Sequence, residues 1–550
     1  MMLRKWGAGV LLSLVILLFA AATCFVIPSP SKYHGDEKFY TDAALRMCAA
    51  DDYWTPQYSS GRIRLLKPIL AYWPIVASFK TFGVSLATSR LPAVLAGALS
   101  LVCVFWLGRV VFKSDRIAVL ASVLLASNVE FLTLSARATP DALVTAFCAV
   151  SMLGFAMVWF GEARWQTGAF LAWCGIGLAV QTKGLLGLSP LAANLLFAVM
   201  AKPEDWRARA RALSGWLPVL TGLALATFWY VVMLRLHGAG ALRSFFDDQV
   251  GAKVSLSPVT VLLNFGTYFL AGLRHSLPWT LLLAAAAILN RKTFLRFWTR
   301  HRAACIFLVV LFLLLVVGFS FGNMRRSRYM TVSYPALALL FAAALCEFWE
   351  NVRLQKIVGQ IMMLLGIVLN AFSAALFIWG GWLGWRLAAA SVALAAVGIA
   401  GIWLARRHNA FARWCWIGVL MALFYAVFDG AIRTVSTPSP LPGLAQRLLL
   451  LNPPQKEIVT FKIEESAAAL LRLNTHGKLI IRPLREEDAA RPAPVLITTR
   501  QGRESPLLEN YKFESAGLAP EAVRVRDALQ KFRFSKRGRN SSRRDVEYFI

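Results

Sequence analysis

GAGVLLSLVILLFAAATCFVI, residues 7–27, is uncharged and apolar from end to end, and YHGDEKFY, residues 33–40, follows it closely. A helix needs about twenty apolar residues to cross a bilayer, so residues 7–27 predict a membrane span. The run is too long for the apolar core of a signal peptide, and no small-residue cleavage site follows. It therefore reads as a retained helix. Arg4 and Lys5 precede it, which places the N-terminus in the cytoplasm by the positive-inside rule. The acidic pair Asp36-Glu37 then lies just outside the first span, at the membrane surface.

Working outward, apolar runs recur at 86–112, 117–134, 141–160, 170–181, 185–200, 216–234, from 277, 305–321, 329–348, 357–379, 387–404 and up to residue 431. Together they predict about thirteen crossings. Residues 69–84 are apolar but short and hold Pro74 and Lys80, so they predict a helix lying at the interface. Hydrophobic residues make up 58% of the 550 and mean hydropathy is +0.57, which excludes a soluble globular chain. The expected fold is an all-α polytopic membrane protein, residues 1–432, with outer loops at 28–85 and 235–276.

Residues 434–440, TVSTPSP, form a turn-rich linker. Beyond it, strand-like stretches at 458–463, 478–481 and 495–498 alternate with helix-like stretches at 464–473 and 520–529. Residues 433–550 therefore predict a small soluble α/β domain, which an odd number of crossings places outside the cytoplasm.

Lys and Arg number 59 against 29 Asp and Glu, a formal net charge of +30. In a soluble chain this balance suggests nucleic acid. Here the basic residues cluster between apolar runs, as cytoplasmic loops and anionic lipid headgroups require, so membrane lipids and not nucleic acid are the expected partners. Arg325, Arg326 and Arg328 break that pattern: they follow a span on the outer side, which marks them as a candidate anion site. Only Cys48 of eight cysteines lies in a polar loop, and the C-terminal domain has none, so no disulfide framework is expected.

The outer-side polar residues come from distant segments: Asp36, Glu37, Lys38, Tyr40, Lys67, Arg137, Asp141, Lys183, Arg274, His275 and Arg325 to Tyr329. Ionisable groups at span ends are costly unless paired or functional. Each has a plainer alternative. Asp141, in Arg137-Ala138-Thr139-Pro140-Asp141, suits a helix first turn. Asp36 suits a turn, Lys183 can snorkel, and His275 can bond at the interface. No His, Cys, Asp or Glu spacing specifies a metal. No Gly-rich phosphate loop follows a strand, so no nucleotide domain is expected.

Several of these motifs resemble the bacterial lipid A aminoarabinose transferases, which are GT-C glycosyltransferases related to the protein O-mannosyltransferases. They are Gly35-Asp36-Glu37, Arg64-Leu65-Leu66-Lys67-Pro68 with Ala71-Tyr72-Trp73, Thr182-Lys183-Gly184, the pre-span Asp141, and Tyr329 to Pro335. The likeness keeps the order of motifs across the membrane part. It implies thirteen membrane helices, an outer-face cavity and a periplasmic C-terminal domain in the bacterial inner membrane. It also implies transfer of a sugar from undecaprenyl phosphate to lipid A or lipopolysaccharide core, with inversion. By match, Asp36, Lys67 and Asp141 are catalytic candidates. Glu37, Lys38, Tyr40, Lys183, Arg325, Arg326, Arg328 and Tyr329 are candidates for substrate contact. Lys38 stands where the family often has Arg. Two departures matter. Leu66 replaces a common Glu before Lys-Pro, and Gln249-Val250-Gly251-Ala252-Lys253 lacks a His. Some members associate these positions with a divalent metal, so the departures count against a metal here: no cofactor is assigned, and a divalent metal stays open as an alternative.

The chemistry then needs cations, Lys67 with Arg325, Arg326 or Arg328, where charge builds on the leaving phosphate. Asp36 orients the acceptor or takes a hydroxyl proton. A polyprenyl-phosphate-dependent transferase acting on protein or another envelope glycan would use the same residues. An envelope-lipid transporter instead predicts ionisable groups at mid-membrane and paired broken helices.

Overall fold

The computed structural model describes residues 7–27, 33–58, 61–161, 164–202, 205–249, 257–323, 325–348, 351–380, 385–407, 410–428, 441–451, 453, 456–461, 463–484, 496–499 and 548–549. The 432/433 boundary, the linker at 434–440, the 520–529 stretch and Val250 to Lys253 lie outside them.

Among the described residues, ten helical stretches are long and apolar enough to cross a membrane, or twelve if two sharply bent pairs each count as one span. The fold is all-α with a small C-terminal sheet. In chain order the helices are α1 Ala8–Val26, α2 Glu37–Ala50, α3 Trp73–Phe82, α4 Leu86–Phe112, α5 Asp115–Ala126, α6 Val129–Ser135, α7 Asp141–Trp159, α8 Trp165–Lys183, α9 Ser189–Ala201, α10 Trp206–Leu213, α11 Trp216–Gln249, α12 Pro258–His275, α13 Trp279–Leu289, α14 Arg291–Arg300, α15 Arg302–Ser320, α16 Tyr334–Glu347, α17 Val352–Gly380, α18 Trp385–Ala405, α19 Ala410–Tyr425, α20 Leu441–Leu451 and α21 Glu465–Asn474.

The difference from thirteen crossings has local causes. Residues 165–201, expected as two spans, form one apolar stretch interrupted by a 3-10 turn, Gly184–Leu188. The α5–α6 pair bends by 68°. There Asn128 caps α6 by accepting from the Phe131 N–H at 2.9 Å, which starts a new helix inside the apolar run. The α12–α13 pair bends by 91° across Ser276-Leu277-Pro278, where proline cannot continue the ladder. The loop expected at 235–276 is helical over 235–249 and 258–275. Its helical period is carried by Asn264, Tyr268, Ala271 and Gly272, all buried, and two of these are polar.

The chain divides into two compact units. The first holds Met1–Val26, Leu65–Ala71 and Pro92–Phe428. Its centre is the α7–α8 hairpin. Gly154 and Gly168 let the two backbones meet, since a Cβ on Gly154 would lie 2.2 Å from the Ala172 nitrogen. Arg209 closes α7 by donating from Nη1 to the Val158 and Trp159 carbonyls at 2.6 and 2.9 Å.

The second unit gathers Ile27–Arg64, Tyr72–Leu91 and Asp429–Ile550. Its four-stranded sheet has the order β2-β1-β3-β4, formed by β1 Glu457–Phe461, β2 Ile480–Pro483, β3 Leu496–Thr499 and β4 Tyr548–Phe549. β1 runs parallel to β2 and β3, with Ile458 opposite Ile481, and β4 is antiparallel to β3. The βαβ pattern read from residues 458–481 is therefore present, with α21 as the crossover. Ile458, Val459, Ile481 and Ile497 are buried.

Candidate active site

In the first unit, helix length alone brings two of the expected residues together. α7 and α8 are antiparallel and 19 residues each, so the first residue of one faces the last of the other. Those residues are Asp141 and Lys183. Lys183 Nζ donates to Asp141 Oδ1 at 2.5 Å, and both side chains are largely buried. α7 starts after Pro140 with no side-chain cap, so the Asp141 carboxylate engages a cation from another helix and not merely its own first turn.

A 3-10 turn, Ser327–Ser333, leads into α16 and packs on α7. It sets the Tyr329 ring 4.8 Å from Lys183 Nζ, a cation–π distance. Arg328 is near enough to act electrostatically on both Asp141 and Glu130. Asp141, Lys183, Arg328 and Tyr329 thus form one cluster, in which two cations surround one buried carboxylate.

The neighbouring residues hold that turn in place. Arg325 donates from Nε to Asn264 Oδ1 at 2.6 Å, and Asn264 donates onward to the Ser320 and Gly322 carbonyls. The Arg326 N–H reaches the Tyr268 hydroxyl at 3.2 Å. Tyr329 also stacks on Phe319 at 4.9 Å. Arg274 Nη2 contacts His275 Nε2 at 2.9 Å, and His275 Nδ1 contacts the Tyr334 hydroxyl at 2.6 Å. Lys67 is half-buried; the 3-10 turn Ile69–Ala71, two residues on, packs against α8.

In the second unit, α2 begins directly after Asp36, whose half-buried side chain does not cap it. Glu37 has a structural occupation. Its carboxylate accepts from Arg90 Nε at 2.8 Å, Arg90 Nη2 at 3.0 Å and the His34 N–H at 2.8 Å, and both side chains are 0% exposed. Arg90 also donates to the Ile27 carbonyl at 2.7 Å. Lys38 pairs with Glu465 of α21 at 2.7 Å. Tyr40 is buried against Tyr72, with ring centroids 5.7 Å apart. The Arg64 guanidinium lies 4.6 Å from the Phe39 ring, 4.9 Å from Tyr58 and 5.6 Å from Tyr40. Burial lowers the Arg64 pKa, but three tyrosines outweigh that effect and hold it above its usual value. Burial pushes the Tyr33 phenol well up, and Tyr33 hydrogen-bonds Thr41 at 2.8 Å.

The sequence reading missed Arg90, Asp42 and Arg472. Arg90 had a usable signal, since it is an arginine inside an apolar run. Among the described residues, no three His, Cys, Asp or Glu side chains group to hold a metal.

The fold and the cluster define a polytopic membrane protein of GT-C type. The dolichyl-phosphate-mannose-protein mannosyltransferase family matches residues 66–232. An undecaprenyl phosphate-alpha-4-amino-4-deoxy-L-arabinose arabinosyl transferase of Yersinia enterocolitica is 25% identical over 444 residues, covering 76% of this chain and 75% of that protein. An Aquifex aeolicus protein is 26% identical over 346 residues, covering 62% and 64%. The chain thus spans 64% of the length of the Aquifex relative, under two thirds, and 75% of the Yersinia one. The solved structure of ArnT from Cupriavidus metallidurans bound to undecaprenyl phosphate superposes with a TM-score of 0.66 at 18% identity, over 92% of this chain and 95% of that one. The chain is thus similar in fold and in sequence to the GT-C glycosyltransferases that include the aminoarabinose transferases.

Proposed function

We propose that this chain moves a sugar, aminoarabinose or a related one, from undecaprenyl phosphate to lipid A or lipopolysaccharide core on the periplasmic face of the bacterial inner membrane. The N-terminus is cytoplasmic and residues 433–550 are periplasmic. The observation that carries the reading is the buried Asp141–Lys183 pair with Arg328 and Tyr329 beside it; with Arg137 and Arg274 near Glu130, cations outnumber carboxylates at this span end. The relatives' names point the same way.

An acceptor oxygen attacks the anomeric carbon opposite the phosphate, so the configuration inverts. The sugar–phosphate bond breaks as the glycosidic bond forms, and polyprenyl phosphate leaves with the electron pair. Lys67 and Arg328 stabilise the charge that builds on it, while Asp141 holds Lys183 in place. Asp36 takes the proton of a hydroxyl acceptor; a phosphate acceptor carries no proton to remove, and Asp36 then only orients it. Arg325, Arg326 and Tyr329 in the first unit, and Lys38 and Tyr40 in the second, are assigned to substrate contact, with Glu37 fixing the start of α2.

A second reading has the same donor class but a protein or envelope-glycan acceptor. The mannosyltransferase match at residues 66–232 favours it. Mass analysis of lipid A and core from cells with and without the gene separates the two. A defined sugar mass on lipid A supports the first reading, and an unchanged lipid A with a changed glycoprotein supports the second.

A further inference from the structure

The helix that follows Asp36 is held from an unexpected direction, 430 residues along the chain. Asp42, one turn and a half into α2, is largely buried. Its Oδ1 accepts from Arg472 Nε at 2.5 Å, and its Oδ2 accepts from Arg46 Nε at 3.2 Å. Arg472 sits on α21 and is equally buried, and its Nη1 donates to the Ile481 carbonyl of β2 at 2.7 Å. One guanidinium therefore ties α2 to the C-terminal sheet. A further contact lies closer to Asp36: Glu465 pairs with Lys38. His476 Nδ1 meets the Val84 carbonyl at 2.8 Å, beside the start of α4. α21 thus pairs with the residue two after Asp36 and the residue six after it.

A solvating tail would not be built this way. A buried ion pair costs desolvation and is weak evidence for stability, so its geometric effect is the more informative property. Arg presents fixed donors, and here they fix the orientation and register of α2 against β2. Arg90 fixes the other side of the same helix through Glu37.

We propose that Arg472 is a positioning residue of the transferase, acting through Asp42 to hold α2 and hence Asp36, so that the C-terminal domain is a working part of the catalytic unit. The inference rests on the proposed role of Asp36. Full-length protein in nanodiscs is compared as wild type, R472Q, D42N, D42N/R472Q, R472K and the exposed-site control K478Q.

Amide hydrogen exchange over residues 34–46 is read first, without any reaction. It speeds up about tenfold in R472Q and D42N, no further in the double variant, and not in K478Q. Sugar transfer from undecaprenyl-phosphate aminoarabinose to lipid A is read second. Per folded molecule, kcat falls about tenfold or more with donor KM within about twofold, because displacing a reacting group removes transition-state and not ground-state binding. R472K keeps the charge, loses the fork and falls between. If R472Q does not fold, the double variant, which leaves no lone buried charge, decides. Unchanged exchange over 34–46, or kcat within about twofold of wild type while D36N is inactive, overturns the proposal. A wild type that transfers no sugar to any acceptor removes the proposed function instead, while exchange still decides whether Arg472 holds α2.

Discussion

Replacing Arg90 by methionine is the sharpest test of how the first outer helix is held. The side chain keeps similar length but loses three donors. Glu37 then remains buried, with the His34 N–H still donating to it but without the guanidinium. Removing one partner of a buried pair costs about 3–5 kcal/mol, because the remaining charge is uncompensated. The Ile27 carbonyl loses its donor as well, which adds about 1 kcal/mol. Replacing both residues, E37L/R90M, removes both charges at once and costs less than either single variant, since apolar replacement of a whole buried pair is often neutral. The assay is reversible unfolding in mixed micelles, with the four proteins forming a double-mutant cycle. Additive costs, or an R90M cost below about 1 kcal/mol, refute a desolvated Glu37–Arg90 pair.

Four shorter expectations accompany it. K183M and D141N each lower kcat by about a hundredfold, as expected for loss of a preorganised charge near a leaving group, and turnover in vesicles checks it. K67A does the same to transfer while leaving the unfolding midpoint unchanged, and D36N and K67A both retaining full transfer removes the assigned site. R64K keeps the charge but loses the planar stacking on Phe39, Tyr40 and Tyr58, and costs about 1 kcal/mol by melting. Tyr33 and Tyr72 have phenols raised above 10.0 by burial. Their contribution is therefore complete below that value, and the protein loses stability as pH rises beyond it; pH-jump melting that is flat from pH 8 to about 11 contradicts this.

The membrane class was legible because it depends only on composition and run length, and the C-terminal strands because each alternates or is bounded by turn residues. Asp141 and Lys183 were legible as charges at span ends, and their pairing follows once the two spans form a hairpin of equal arms. Arg90 with Glu37 spans 53 positions and Asp42 with Arg472 spans 430, and no period or local propensity encodes either. The 258–275 helix was passed over for another reason. Its buried face carries Asn264 and Tyr268, whose work is hydrogen bonding to the Arg325 turn, so hydropathy hid a regular helical spacing. The 165–201 stretch shows the limit of counting: a 3-10 turn rich in Leu and Gly is apolar, and apolarity does not register a break.

The two buried acid–base pairs differ in a way that bears on where a substrate can go. At Glu37 both carboxylate oxygens have donors, and the Arg90 guanidinium is divided between Glu37 and Ile27, so the charges cancel and the geometry is closed. Such a pair fixes a helix and offers little to a ligand. At Asp141 one carboxylate meets the Lys183 ammonium, the same ammonium faces the Tyr329 ring, and the Arg328 charge acts on the carboxylate as well. Glu130 shares Arg328 and also has Arg137 and Arg274 near it, so cations outnumber carboxylates there, beside the apolar body of a span. An anion entering next to Lys183 and Arg328 completes that balance, and at an effective dielectric of about 20 each added contact at 4 Å is worth about 4 kcal/mol before desolvation. Under the proposed function, the closed pair supplies rigidity and the cationic cluster supplies attraction for a lipid-linked phosphate.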